Sequence, residues 1–133
     1  MKVGIRSEDK SQWERRVPLV PGDVKALREA GIDAVVQTSS HRAFGDDEFA
    51  RAGVPVQPDL GDCKIIVGIK EIPPPKLEAG KVYLFFPHVI KGQPGNMPML
   101  RRLMELNATL VDYERIVDEK NRRLIFFGHH AGL

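Results

Sequence analysis

"IIVGIKEIPPPKLEAGKVYLFFPHVIKG", residues 65–92, sets two apolar runs, 65–69 and 82–86, on either side of a proline-rich link. Each run is continuous rather than alternating, the pattern of strands covered on both faces of a sheet. Lys70 and Glu71 follow the first run, and His88 and Lys91 follow the second. Two parallel strands end on the same side, and that edge is where open α/β sheets bind ligands. The link Ile72-Pro73-Pro74-Pro75 cannot be helix interior or central strand, because a proline donates no backbone hydrogen bond. It predicts a stiff, exposed connection.

Elements of the same kind flank this pair. Residues 3–6 predict a first strand, and residues 7–16 form a polar loop without a trusted period. Pro21, Gly22 and Asp23 precede Val24, Leu27 and Ala30 at helical spacing, and Gly31 stops the helix. Residues 34–37 predict a second strand, and Asp46, Asp47 and Glu48 open a short helix ended by Gly53. An amphipathic helix over 97–107 and strands over 109–112 and 123–127 complete the series. The alternation predicts a Rossmann-like or flavodoxin-like α/β three-layer sandwich with a mainly parallel sheet. It is expected as a single domain over 1–133, ending before a dinucleotide-binding domain begins.

Composition narrows the function classes. The chain has 133 residues, 42% hydrophobic and 29% charged, as in folded soluble domains. Twenty basic residues against eighteen acidic ones, scattered rather than blocked, do not suggest nucleic acid. Arg101 and Arg102 lie in the amphipathic helix and read as its solvated face. One cysteine, Cys63, cannot form an internal disulfide, and no leader or membrane span is evident. A reduced compartment, most simply the cytoplasm, is the expectation.

Several side chains could carry chemistry. A lysine partly withheld from water can exchange protons near neutrality, so Lys70 is a candidate acid or base; a solvated Lys70-Glu71 pair is the plain alternative. Histidine titrates nearest neutral pH, which makes His88 a second candidate against a merely hydrogen-bonded structural histidine. Asp112, Tyr113 and Glu114 end a third strand at the same edge. Arg15 and Arg16 offer guanidinium groups suited to a substrate carboxylate, with surface ion pairing as the alternative. His129 and His130 are adjacent and lack a metal-binding pattern, so metal is not expected. No glycine-rich nucleotide fingerprint is present.

In combination, "WERRVPL" (13–19), "GIKE" (68–71) and "FPHVIK" (86–91) resemble one family across essentially the whole chain. They are similar to the amino-terminal domain of lysine-ketoglutarate reductase. That is the lysine-forming saccharopine dehydrogenase, within the alanine dehydrogenase and transhydrogenase superfamily. The resemblance implies that Lys70 and His88 are the acid/base groups and that Arg16 binds a substrate carboxylate. It implies that Glu71 and Glu114 tune them and that Lys91 supports the site electrostatically. It further implies reductive condensation of lysine with 2-oxoglutarate, or its reverse, with NAD or NADP held by another domain and none by this chain alone. Expected partners are an amino acid or 2-oxo acid and a dinucleotide-binding domain, and the end around Phe126 and Phe127 offers an interface for either a partner or a homodimer. A binding module without catalysis is the alternative.

Overall fold

The computed structural model describes residues 1–89 and 94–125. They build a six-stranded sheet in the order β3-β2-β1-β4-β5-β6, and every neighbouring pair is parallel. The strands are β1 (Lys2–Ile5), β2 (Asp33–Gln37), β3 (Val56–Gln57), β4 (Ile65–Val67), β5 (Val82–Phe85) and β6 (Thr109–Asp112). Helices α1 (Pro21–Glu29), α2 (Asp46–Arg51) and α3 (Met97–Glu105) cross between them. The order reverses between β1 and β4, which makes the crevice beyond their carboxyl ends the natural ligand position.

Strand alternation divides the core between two faces. Ile5, Ala34 and Val36 point one way and pack with Val24 of α1, Phe49 of α2 and Val54. Val35, Ile66, Tyr83 and Phe85 join Met99 and Leu103 of α3 in a second cluster. The two clusters sandwich the sheet, giving the three layers that the sequence pattern predicts. Gly4 is confined by this packing, because an added Cβ would meet Cys63 Sγ and Leu60 at 2.9 Å.

Three features depart from the sequence reading. β3 escapes it because two residues between prolines carry too little pattern to register. The proline-rich link is not a solvated spacer: it holds a 3-10 turn at Pro74–Lys76, and Ile72 and Leu77 on either side enter the main core. The strand expected over 123–127 is not part of the sheet as far as it is described. Arg123 bridges Val117 in antiparallel fashion instead, since the Asp118 carboxylate accepts the Lys120 and Arg122 N–H groups and turns the chain back. Phe126 and Phe127, with the interface expected there, lie outside the described residues, as do His129 and His130.

Candidate active site

Each strand on this side of the sheet buries a large side chain at its carboxyl end and then releases a polar one. Ile69 follows β4, Phe86 follows β5 and Tyr113 follows β6, and the three form one apolar plate. The Phe86 and Tyr113 rings meet edge to face with centroids 4.9 Å apart. Lys70, His88 and Glu114 come one or two residues after the plate. A 3-10 turn, Tyr113–Arg115, fixes the last of them, with the Asp112 carboxylate accepting the Glu114 N–H at 2.8 Å.

His88 is the centre of the polar cluster. Its Nδ1 lies 3.0 Å from Glu71 Oε1, and its Nε2 lies 3.6 Å from Glu114 Oε1. A carboxylate only accepts, so Nδ1 carries the hydrogen, and in the neutral ring Nε2 is the nitrogen with a lone pair. The backbone at His88 has φ +54°, a left-handed conformation uncommon outside glycine. The fold holds it there: Asn96 Nδ2 donates to the His88 carbonyl at 3.3 Å and to Glu71 at 3.4 Å, and Pro87 is fully buried. Strain so constrained gathers at working sites.

Glu71 is ionised in this setting. Burial alone would raise its carboxyl, but its own backbone N–H, the His88 ring and Lys10 at 3.8 Å outweigh burial and hold it below the ordinary range. A fixed negative charge therefore stands behind the imidazole. A proton taken at Nε2 would face Glu114, while the Nδ1–H stays on Glu71.

Lys70 and Arg16 belong to a second cluster, built on the segment after β1. Arg16 Nε and Nη2 donate to the two Glu14 oxygens at 2.7 Å each, a bidentate fork. The Arg16 hydrogen bonds, backed by the nearby Lys70 charge, keep the Glu14 carboxyl below its usual range. The Lys70 N–H donates to Glu8 Oε1 at 2.8 Å. Arg15 points elsewhere, its Nε donating to the His41 carbonyl at 3.0 Å.

The structure thus gathers His88, Glu71 and Glu114 directly and sets Lys70 near the Glu14–Arg16 pair. The two clusters stand at the ends of the adjacent strands β4 and β5, which are joined by the Phe86 N–H to Ile69 carbonyl bond of 2.9 Å. Lys91 lies outside the described residues. Sequence reading missed Glu8, Lys10, Glu14 and Asn96. Glu8, Lys10 and Glu14 stand in a segment without period, where no neighbour sets them apart from solvated charge.

A model of the alanine dehydrogenase/PNT N-terminal domain matches residues 4–133. The mitochondrial alpha-aminoadipic semialdehyde synthase of Rattus norvegicus is 40% identical over 131 residues, covering 98% of this chain and 14% of the rat protein. The saccharopine dehydrogenase (NAD(+), L-lysine-forming) of Emericella nidulans is 35% identical over 137 residues, covering 98% of this chain and 36% of its own. An L-alanine dehydrogenase of known structure superposes with a TM-score of 0.76 at 26% identity, covering 91% of this chain and 34% of that one. The chain therefore spans between 14% and 36% of the length of these proteins.

Proposed function

The chain belongs to the alanine dehydrogenase/PNT N-terminal domain family, and from that premise we propose that it is the substrate-binding and acid/base part of a nicotinamide-dependent amino acid dehydrogenase of the saccharopine-forming type. The observation that carries the reading is His88, held in a left-handed conformation with a carboxylate at each ring nitrogen, at the end of the strand next to Lys70. Joining an amine to a 2-oxo acid passes through a carbinolamine, which loses water when its hydroxyl is protonated. The reverse reaction needs a base to activate that water. Both directions suit an imidazole that gains and loses a proton at Nε2, with Lys70 as the second proton-transfer group. Arg16 pairs with a substrate carboxylate, oriented beforehand by Glu14. Glu71 and Glu114 steady the ring, and Lys91 adds positive charge.

The nucleotide does not fit this chain's own residues. In dinucleotide folds the first strand passes through a glycine-rich turn into a helix whose N-terminus meets the pyrophosphate. Here β1 instead enters a long segment bearing Arg6, Glu8, Asp9 and Glu14, and Asp23 stands in the first turn of α1. NAD or NADP is therefore assigned to a separate dinucleotide-binding domain, which is also the proposed protein partner. Among the described residues no helix is long and apolar enough to cross a membrane. A reducing compartment, cytoplasm or mitochondrial matrix, is part of this proposal.

Ligand binding to this chain is read by isothermal titration calorimetry. Titration with 2-oxoglutarate is expected to saturate, and Arg16→Ala is expected to weaken binding by about tenfold or more, the worth of one charge-assisted hydrogen bond. Absence of saturation with either 2-oxoglutarate or lysine refutes the reading. Binding that persists while turnover stays absent after a nucleotide-binding domain is added identifies a binding module instead.

A further inference from the structure

We infer that Glu8 is a positioning residue for Lys70: its carboxylate takes over where the backbone ladder between β1 and β4 stops, and it sets the bend that delivers Lys70 to the cleft. The inference rests on the proposed acid/base role of Lys70.

The last backbone rung between these strands is the Arg6 N–H to Val67 carbonyl bond at 3.0 Å. Beyond it the chain bends at Ile69 and Lys70. Two successive amides there point at one side chain: Glu8 Oε2 accepts Ile69 N–H at 3.1 Å and Oε1 accepts Lys70 N–H at 2.8 Å. Consecutive N–H groups converging on an anion form a backbone nest, and here the anion comes from 61 and 62 residues away in sequence. Ile69 is pinned on its other side by β5 through the Phe86 N–H. The bend is therefore fixed from both neighbouring strands.

Glu8 is built into this place. It is 3% exposed, and Arg6 Nη1 stands 3.8 Å from Oε2 without a hydrogen-bond partner of its own. Its backbone is tied in as well, with His41 Nε2 at 3.0 Å from the Glu8 carbonyl and the neighbouring Ser7 N–H donating to Gln37. Gly68 leaves the room required, since a Cβ there would fall 3.0 Å from Glu8 Oε2 and 2.9 Å from Arg6 Cδ. By contrast, among the described residues the Lys70 ammonium makes no hydrogen bond or ion pair. Its direction is set by its backbone, and that backbone is held by Glu8.

The test uses Glu8→Gln, which can accept only one of the two amides, with Glu8→Asp as the carboxylate-retaining companion should the first fail to fold. Two quantities are read on this chain: amide hydrogen exchange at Ile69 and Lys70, and the pH profile of acetic anhydride labelling at Lys70 resolved by mass spectrometry. Glu8→Gln is expected to speed exchange at both amides by about tenfold or more while the Val67 region stays protected. The Lys70 labelling profile is also expected to change, by about threefold or more in rate at a given pH, with the exposed Lys25 unchanged. Faster exchange with an unmoved Lys70 profile leaves Glu8 a purely structural residue and overturns the inference, as does unchanged exchange. Both readouts are made without substrate. A shifted Lys70 profile in a chain that binds no 2-oxo acid would sustain the positioning role and sink the proposed function alone.

Discussion

Replacing Gly68 by alanine adds one methyl group at the point where two buried side chains cross the backbone. The new Cβ would stand 2.9 Å from Arg6 Cδ and 3.0 Å from Arg6 Cγ and Glu8 Oε2, well inside ordinary contact. Arg6 has little freedom to retreat: it is 7% exposed, and its Nη2 is held by Asp9 at 2.7 Å. Overpacking of this kind costs about 1–3 kcal/mol. Displacing the Glu8 carboxylate from one of its two amides adds about 1–3 kcal/mol. Against this, alanine restricts the unfolded chain and returns roughly 0.4–1 kcal/mol. The net is a destabilisation of about 3 kcal/mol, on the order of a 150-fold fall in the folding equilibrium constant. Gly22 supplies the control, since nothing lies within 4 Å of a Cβ there and the residue sits in the first turn of α1. Gly22→Ala should stabilise by up to about 1 kcal/mol. Urea denaturation of both variants measures the contrast. If Gly68→Ala falls within about 0.5 kcal/mol of the wild type while Gly22→Ala behaves as stated, the close crossing at Gly68 is wrong.

Glu71→Gln tests the charge behind His88. A carboxyl held lower in the folded than in the unfolded chain stabilises above its ordinary 4.5 and loses that contribution as pH falls through the folded value. The wild type should therefore exceed the variant by about 1–2 kcal/mol at pH 6, roughly 3–8 °C in Tm. The gap should close toward pH 3, and a gap constant over that range would count against the assignment. Cys63 is 1% exposed, and burial pushes its thiol up to about 11. Its alkylation by iodoacetamide at pH 8 should be at least about 100-fold slower in the folded chain than in urea, and equal rates would exclude the buried position.

The fold was legible because its signals are local. The runs at 65–69 and 82–86 carry their own evidence of burial on both faces, and α1 and α3 show their period within a few turns. The placement of the candidate residues was legible for a related reason: Lys70, His88 and Glu114 each follow a buried apolar residue at a strand end, so strand direction alone brings them to one edge. The strand expected over 123–127 failed on the same ground. Propensity marked it, but the side chain of Asp118 decides where the chain goes, and a turn of that kind competes with sheet pairing without changing the apolar pattern.

What stayed hidden are the residues whose work depends on distance in sequence. Glu8, Lys10 and Glu14 stand in a polar segment with neither helical nor strand period, and nothing in their neighbours distinguishes them from solvated charge. Their meaning appears only when β1 is laid beside β4, because that pairing carries the segment after β1 across the ends of the central strands. Once there, Glu8 replaces missing ladder bonds, Glu14 orients Arg16 and Lys10 pairs with Glu71. A segment without period between a central parallel strand and its crossover helix is therefore informative in itself. A chain that only needed to connect β1 to α1 would do so in a few residues. The fifteen residues from Arg6 to Val20 that join β1 to α1 carry Glu8, Glu14 and the Arg16 guanidinium across the ends of the central strands. Shortening the segment is expected to leave the sheet paired and to withdraw these charged groups from its edge.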